Sequence, residues 1–164
     1  MEFDFDVTIA ITGGEIQAKI NNQDVKMWES INVKKGDNLS FGSLKSGMRA
    51  YLAFSAEIDV PVVMGSKSTL LKSKLGGFEG RQLKMGDIIN FKNVKVLSKK
   101  NTLDKKYIPT YNHNQNIRIV LGPQDDYFEE SSIKTMLENK YQVTKDADRM
   151  GMRLAGEVIK HKDK

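Results

Sequence analysis

Apolar and polar residues alternate along about the first hundred positions, with the period of two that is typical of β-strands. This alternation predicts strands at residues 7–12, 15–20, 25–28, 31–33, 38–41, 50–54 and 58–64. Gly13-Gly14 and Asn21-Asn22 follow the first two segments, and we predict that each pair ends its strand, because glycine and asparagine favour turns. The evenly spaced short strands predict a mainly β fold of the barrel or sandwich kind.

One turn pattern occurs twice. Residues 34–41 read KKGDNLSF and residues 84–91 read KMGDIINF. In each copy, glycine supplies the turn geometry and the aspartate, Asp37 or Asp87, can bond to the local backbone. We therefore predict two equivalent hairpin corners of a barrel. A repeat protein is not predicted, because such a fold needs more than two copies of its unit.

The chain changes character after residue 97. Residues 97–116 are rich in lysine and asparagine and contain Pro109, which is typical of a loop or linker. A strand at 117–121 and one clear α-helix at 127–139 are predicted next, the helix because Ile133, Met136 and Leu137 share one face. Two further strands are expected, at 141–144 and after the turn at 148–154. The predicted organisation is a β-barrel domain at 1–98, a linker at 99–116 and a partial second domain at 117–164.

Composition narrows the class of protein. The 164 residues are 39% hydrophobic and include no cysteine, which excludes disulfides, thiolate metal sites and a cysteine nucleophile. The net charge of +5 arises mainly from lysines in the linker and the tail. Because no aromatic stripe or recognition helix accompanies them, solvated lysines are favoured over nucleic-acid binding. The acidic N-terminus and the absence of a long apolar run predict a cytoplasmic protein without a membrane span.

Two polar, glycine-rich segments are candidate sites. The first, residues 65–69, reads GSKST, and its amides and hydroxyls could bind a phosphate or carboxylate, although a plain polar turn explains it too. The second, residues 76–81, reads GGFEGR. There the glycines could let the backbone approach a ligand, and Arg81 could pair with an anion. Glu79 could act as a base or simply hold Arg81, and a glycine hairpin with a surface ion pair is the alternative.

Other residues are weaker candidates for a functional site. Asp125-Asp126 could bind a metal, but two carboxylates at a helix start are more often caps. His113 and His161 have no partner at ligand spacing, so no metal site is predicted. Trp28 and the other aromatic residues are interpreted as core.

Several motifs in order resemble the allophanate hydrolase subunit 2 family. They are RAYLA at 49–53, IDVP at 58–61, GSKST at 65–69, LGGFEGR at 75–81, LGPQDDYF at 121–128 and DRMGMRL at 148–154. That family includes the 5-oxoprolinase C subunit, the antagonist of a sporulation-kinase inhibitor, and part of the carboxyltransferase region of urea carboxylase (urea amidolyase).

The resemblance implies a cyclophilin-like β-barrel followed by the start of a second related barrel. It implies biotin-dependent carboxylation or ATP-dependent 5-oxoproline opening on a small amide, beside a partner that resembles allophanate hydrolase subunit 1 or the 5-oxoprolinase B subunit. It also allows a homo-oligomer. We expect ATP or biotin only in the full complex, with no cofactor bound by this chain itself.

Two departures from the family pattern matter. The family's Gln-Asp-x-Gly-Arg segment and its glycine-rich C-terminal half have no counterpart here, so we expect a middle fragment that is inactive alone. In addition, Ala56-Glu57 stands where two glycines are usual.

The resemblance and the residue chemistry together assign provisional roles. The expected catalytic residues are Arg49, Arg81 and Glu79, and the expected substrate-binding residues are Ser66, Ser68, Thr69, Gly76, Gly77, Asp148 and Arg149. These groups would stabilise charge developing on a carbonyl oxygen. The alternatives are a regulatory module that binds a histidine-kinase inhibitor and a purely structural β-domain.

Overall fold

The computed structural model describes residues 1–112, 114–148 and 150–162. They form two compact units, Met1–Asn114 and Gln115–Lys164. The strands are β1 (Val7–Ile20), β2 (Gln23–Asp24), β3 (Ser30–Val33), β4 (Leu39–Phe54), β5 (Glu57–Ile58), β6 (Phe91–Lys92), β7 (Gln142–Val143) and β8 (Leu154–Ala155). The α-helix is α1 (Glu130–Glu138), and short 3₁₀ turns lie at Leu71–Ser73, Lys105–Tyr107 and Asp125–Tyr127. The protein is therefore mainly β with few helices.

Strand β1 is the centre of the first unit. Along one edge it pairs antiparallel with β4, from Ile9 opposite Phe54 to Ile20 opposite Leu39. Along the other edge it pairs with β3 at one end and β2 at the other. Because β1 is hydrogen-bonded on both edges, it is the strand that the other three share.

The predicted strand break at Gly13-Gly14 is wrong, because β1 runs through both glycines. The register with β4 shifts between Gly13 and Ala18, which marks bulges. Gly13 has a φ of +88°, and a Cβ there would lie 2.5 Å from the carbonyl oxygen of Arg49. A Cβ on Gly47 would lie 2.7 Å from the Cα of Gly14. The glycines therefore allow two backbones to come close within a bulge and do not end the strand.

The side chains of β1 that face the core change from odd to even positions across the irregular region of its pairing with β4. Before it, the buried apolar residues are the odd-numbered Val7, Ile9 and Ile11. After it, Ala18 is buried, and the even-numbered Ile16 and Ile20 pack against the same cluster. The extra residues of the irregular pairing lie on β4, because positions 13 to 18 of β1 oppose positions 50 to 41 of β4. On β1 itself Gly13 has a φ of +88°, which departs from extended backbone, and the buried positions change from odd to even across it.

A buried hydroxyl fastens the segment that follows β6. Thr8 is 3% exposed, and its Oγ1 donates to Asn32 Oδ1 over 2.6 Å. The same oxygen accepts a hydrogen bond from the amide of Leu97 over 2.8 Å. Further along, the amide of Ser30 donates to the carbonyl of Asn101 over 2.8 Å. The first part of the segment that sequence predicts as a linker is thus held against β1 and β3.

The two Lys-x-Gly-Asp turns do bond to their own backbone. Asp37 accepts from the amide of Lys34 over 2.7 Å, and Asp87 accepts from the amide of Lys84 over 2.6 Å. The glycines that precede the aspartates have φ values of +89° and +90°. The prediction of hairpin corners is wrong for the first copy, because β3 and β4 each pair with β1 and not with each other.

Several other predicted strands are shortened or missing. Within 58–64 and 84–91, the described backbone pairs only where Ile58 lies opposite Phe91, next to the pair of Glu57 with Lys92, and where Val63 forms an isolated bridge with Ser66. Residues 25–28 and 117–121 are not strands. Trp28, expected in the core, is only half-buried and has a φ of +65°. Phe91 packs on Phe5 and Phe54 at ring-centroid distances of 5.5 and 4.7 Å. The core interpretation is wrong for several other aromatic residues, which are exposed: Phe41, Tyr51, Tyr107, Tyr111 and Tyr127.

The second unit is organised around helix α1. The helix begins later than predicted, because the acidic residues before it form the 3₁₀ turn Asp125–Tyr127. Ser132, which is 5% exposed, exchanges two hydrogen bonds of 3.0 Å with the backbone of Lys160. His161 packs on Phe128 with ring centroids 4.4 Å apart. The charged tail, as far as residue 162, therefore packs against this unit.

Among the described residues, the sheets do not close into a barrel. Within the same residues, no helix has the length and apolar content needed to cross a lipid bilayer.

The Thr8 hydroxyl gives a test of the first unit. Thr8→Val keeps the shape of the side chain but leaves Asn32 and the amide of Leu97 without their partner. We expect a loss of about 1–3 kcal/mol in the free energy of unfolding, measured by urea denaturation. Thr12→Val, on the same strand, is the matched control and should cost less. Equal losses for the two variants would contradict the role given to Thr8.

Candidate functional site

The first polar segment is a tight hairpin. Val63 and Ser66 exchange backbone hydrogen bonds of 2.9 and 3.0 Å. Met64 and Gly65 between them have φ values of +51° and +75°, as a type I′ turn requires. Ser66 Oγ accepts from the amide of Ser68 over 3.0 Å. The hydroxyls of Ser66 and Ser68 are both in exposed residues, so this segment is a surface turn with polar groups facing solvent.

The second segment packs directly on the first. A Cβ on Gly76 would lie 2.5 Å from the carbonyl oxygen of Ser68. A Cβ on Gly77 would overlap Oγ1 of Thr69. Both glycines have positive φ, and Gly77 is buried. The structure therefore brings Ser68 and Thr69 together with Gly76 and Gly77, and the close approach of backbone is to this chain's own neighbouring loop.

Glycine is required at Gly80 for a similar reason. Its φ is +64°, and a Cβ there would overlap the carbonyl group of Lys74. Glu79 also adopts a positive φ, of +53°, which is uncommon for a residue with a side chain. The loop at 76–81 is thus tightly folded, and its shape depends on interactions around Arg81.

Arg81 is held by carboxylates on two sides. Its two terminal nitrogens donate to the two oxygens of Asp87 over 2.7 and 2.9 Å, a bidentate geometry. Nε donates to Glu79 over 2.9 Å, and Nη1 also donates to the carbonyl of Gln82 over 3.0 Å. The guanidinium lies 5.1 Å from the ring centroid of Phe78. Arg81 therefore acts as a clamp that joins the glycine loop to the turn at 84–87.

The clamp perturbs both charged partners. The hydrogen bonds from Arg81, together with that from the amide of Lys84, lower the pKa of Asp87 from 3.8 to about 2. Hydrogen bonding to Asp87 raises the pKa of the Arg81 guanidinium, so it stays charged. The side chain of Asp87 is 14% exposed, whereas that of Glu79 is 65% exposed. Of the two, the contact with Asp87 is the better shielded from water.

The glycine loop presents backbone donors. The amides of Gly76, Gly77, Phe78 and Glu79 have no hydrogen-bond acceptor within the described part of the chain. Successive amides in a tightly turned loop can form a concave surface that favours anions or carbonyl oxygens. The predicted role of Gly76 and Gly77 as backbone donors is compatible with this geometry and stays a prediction.

The remaining predicted site residues lie elsewhere. Arg49 is exposed on β4, and its side chain forms no ion pair with any described residue. Asp148 belongs to the second unit, where its Oδ1 accepts from the amides of Met150 and Gly151 over 2.8 and 3.1 Å. Arg149 and His113 lie outside the described residues. Within those residues, no group of three or more acidic or histidine side chains could hold a metal ion.

Sequence reasoning missed the part played by Asp87. It noted this residue only as a turn former, although the signal was present. Asp87 ends the second Lys-x-Gly-Asp copy and lies six positions after Arg81. In the first copy the corresponding Asp37 accepts from the side chain of Asn21 over 2.8 Å. The same turn thus anchors a different neighbour in each place.

With this geometry established, comparison with known proteins defines the class. The family model for the carboxyltransferase domain, subdomain A and B, matches residues 1–164. The chain therefore belongs to this carboxyltransferase domain family.

Particular relatives are of two kinds. The chain is 35% identical over 162 residues to urea amidolyase of Saccharomyces cerevisiae, covering 94% of this chain and 9% of the relative. It is 34% identical over 160 residues to the 5-oxoprolinase C subunit of Escherichia coli, covering 98% of this chain and 50% of the relative. The chain thus spans half of the bacterial relative and a small part of the yeast one.

A solved structure supports the same fold. The crystal structure of the K. lactis urea amidolyase superimposes with a TM-score of 0.84 at 32% identity, covering 98% of this chain and 10% of that one. The family assignment and the mainly β fold agree with the resemblance that the motifs indicate.

Gly77→Ala tests the packing of the two loops. Both Gly77→Ala and its control Gly86→Ala place a side chain at positive φ, which costs about 1–2 kcal/mol. Only at Gly77 does the new methyl group overlap Thr69, whereas nothing lies within 4 Å of the corresponding position at Gly86. We expect a clearly larger loss of unfolding free energy for Gly77→Ala in urea denaturation. If the two variants lose the same amount, the loops do not pack as described.

The Arg81–Asp87 clamp predicts a pH dependence. Because the folded state lowers the pKa of Asp87 from 3.8 to about 2, the ionised carboxylate stabilises the fold above that range. That stabilisation is lost as the pH falls through about 2. We expect Asp87→Asn to have a lower melting temperature than the unmodified chain at neutral pH, with the difference closing as the pH falls from about 4 to about 2.

Asp59→Asn is the matched control for the clamp. Asp59 pairs with Lys92 over 2.7 Å through exposed side chains, and exposed pairs contribute little. Its substitution should change the melting temperature less at neutral pH. If the difference in melting temperature between Asp87→Asn and the unmodified chain stays constant down to the lowest pH, the proposed clamp is refuted.

Proposed function

We propose that this chain forms one wall of an enzyme site of the carboxyltransferase or 5-oxoprolinase type, acting on a small amide or carboxylate together with a partner subunit. The observation that carries the proposal is the match of the whole chain to the carboxyltransferase domain family. Because urea amidolyase and the 5-oxoprolinase C subunit are both relatives, the two reaction types remain as candidates.

The glycine loop at 76–81 is proposed as the substrate-binding element. Its backbone amides without acceptors would donate to an oxygen on which negative charge develops, as in an oxyanion hole. Ser68 and Thr69 pack beside these glycines and supply hydroxyl groups, and Ser66 lies on the same hairpin. Such donors are most effective when they are fixed before substrate binds, which the packing of the two loops supports.

The three charged candidates divide between two roles. Arg81, paired with Asp87 and Glu79, is proposed to fix the glycine loop. Its positive charge is proposed to help the loop attract a negatively charged oxygen of the substrate. Glu79 is proposed as its exposed partner. Arg49, whose side chain is exposed and has no ion pair with a described residue, is proposed to meet an anionic group of the substrate directly.

A protein partner is supported by the surface of β4. Phe41, Leu44, Met48 and Tyr51 are 44%, 41%, 71% and 57% exposed along this strand. Exposed apolar residues grouped on one element are typical of interaction sites. We propose that a partner resembling allophanate hydrolase subunit 1 or the 5-oxoprolinase B subunit covers them. ATP or biotin would then act in the full complex.

The finer architecture belongs to the same proposal. The β1–β4 sheet is proposed to be part of a cyclophilin-like barrel, and the Gln115–Lys164 unit part of a second related barrel. The likeness to the K. lactis enzyme over nearly the whole chain supports this arrangement.

The E. coli relative offers a direct test, because this chain aligns with half of its length. A chimera carries this chain in place of the aligned half and is combined with the other E. coli 5-oxoprolinase subunits. We expect ATP hydrolysis that depends on 5-oxoproline or urea, whereas the isolated chain should show none. Gly77→Ala in the chimera should lower turnover at least about tenfold, because the new methyl group overlaps Thr69 and displaces the loop amides, and misplacing an oxyanion donor removes stabilisation that is worth about 10²–10³. Gly86→Ala should keep most of it.

Two results would contradict the proposal. The first is substrate-dependent ATP hydrolysis by the isolated chain. The second is a folded, assembled chimera that responds to neither compound. In the second case, capture of a histidine-kinase inhibitor by the unmodified chain would support the regulatory alternative.

A further inference from the structure

A large cavity of the first unit lies apart from the glycine loops. It has a volume of about 860 Å³ and is bounded by β1, β2, β4 and residues 108–111. None of residues 65–81 lines it. Its volume is within the roughly 300–1,000 Å³ that ligand pockets occupy. The cavity is therefore built from residues other than those of the glycine loops.

Two aromatic side chains line the cavity. Trp28, which is half-buried, borders both this cavity and a neighbouring one of about 530 Å³. Tyr111 is 37% exposed and also lines the larger cavity. A Cβ on Gly47 would lie 3.3 Å from the Tyr111 ring, so the absence of a side chain at Gly47 leaves room for the ring.

Trp28 is held in an unfavourable backbone conformation. Its φ of +65° is an outlier for a bulky residue. Two hydrogen bonds maintain it, because its amide donates to the carbonyl of Ile11 over 2.8 Å and its carbonyl accepts from the amide of Leu103 over 2.9 Å. Backbone strain of this kind concentrates at ligand-binding positions, where the surrounding structure maintains it. The surrounding chain thus fixes the backbone of Trp28 at the cavity wall.

The charges around the cavity leave one cation without a partner. Glu15 lies 3.7 Å from Lys45. Asp24 lies 3.9 Å from Lys19 and accepts a hydrogen bond of 3.4 Å from Gln17. Lys26 also lines the cavity, and it has no ion pair or hydrogen bond to its side chain in the described part of the chain.

We propose that this cavity binds a small, flat molecule that carries one negative charge, stacked against Trp28 and paired with Lys26. The aromatic walls by themselves would also accept a cation, through attraction to the ring faces. The two carboxylates that could favour a cation are already paired with lysines, and Lys26 favours an anion. A planar ring that carries a carboxylate fits both features of the cavity, because the ring can stack on an aromatic side chain and the carboxylate can pair with Lys26.

Because Trp28 is the single tryptophan of the chain, its fluorescence reports on binding in the cavity. Benzoate, benzamide and benzamidine have the same ring and carry a negative, a zero and a positive charge. We expect a saturable change in Trp28 fluorescence with benzoate, at a Kd at least about tenfold below those of benzamide and benzamidine. Added salt should weaken the binding of benzoate most, because charge pairing near the surface is screened.

Matched variants assign the effect to the cavity. Lys26→Gln should remove the advantage of benzoate over benzamide, whereas Lys99→Gln, which removes an equal charge from an exposed lysine that does not line the cavity, should keep it. Trp28→Gly removes the ring and accepts the positive φ at little cost. The Kd of benzoate for Trp28→Gly, measured by calorimetry, should be at least about tenfold higher, because one stacked ring contributes about 1–3 kcal/mol.

Four outcomes would overturn the proposal. They are no saturable binding of benzoate in fluorescence and calorimetry, equal affinities for the three probes, equal effects of Lys26→Gln and Lys99→Gln, and unchanged benzoate binding by folded Trp28→Gly. If Trp28→Gly does not fold, the comparison of the two lysine variants still decides.

Discussion

Strand β1 has to be hydrogen-bonded along both edges and still change the face that it turns to the core. Three glycines make this possible. Gly13 and Gly14 lie on β1 where the pairing becomes irregular, the extra residues of that pairing lie on β4, and Gly47 lets β4 pass close to Gly14. The buried positions of β1 change from odd to even across this irregular region, so Ile11 before it and Ala18 after it both reach the same apolar cluster. The positions of β2, β3 and β4, and of the cavity along β1, all depend on this one long strand.

Close packing of backbone on backbone recurs in the candidate site. The glycines at 76–80 contact Ser68, Thr69 and Lys74 of the same chain, and Arg81 joins their loop to Asp87. Glycine clusters are often interpreted as places where a ligand approaches the backbone. Here they first serve the fold, and this is compatible with a site, because a rigid loop holds its free amides in fixed positions. Structure and proposed chemistry therefore depend on the same glycines.

The two candidate binding places of the first unit differ in how they would select a ligand. The glycine loop offers backbone donors, which recognise an oxygen atom whatever molecule carries it. The cavity offers aromatic surface and a single unpaired lysine, which recognise shape and charge. The exposed apolar side chains of β4 add a surface suited to a protein partner. The chain covers 9% of the yeast urea amidolyase and 50% of the E. coli 5-oxoprolinase C subunit.

Local patterns in the sequence determined the β class, the turns at Asn21-Asn22 and at both Lys-x-Gly-Asp copies, helix α1 and the family. Each of these depends on neighbouring residues, such as an aspartate that bonds to the amide three positions before it. The shift of apolar residues from odd to even numbers in β1 was also visible in the sequence, but its cause was not. Only the tertiary structure decided that Gly13-Gly14 continues a strand, that Arg81 pairs with Asp87 and that Trp28 lines a cavity. The physical reason is that each depends on contacts between segments distant in the chain or on the folding of one loop onto another, which local alternation does not encode.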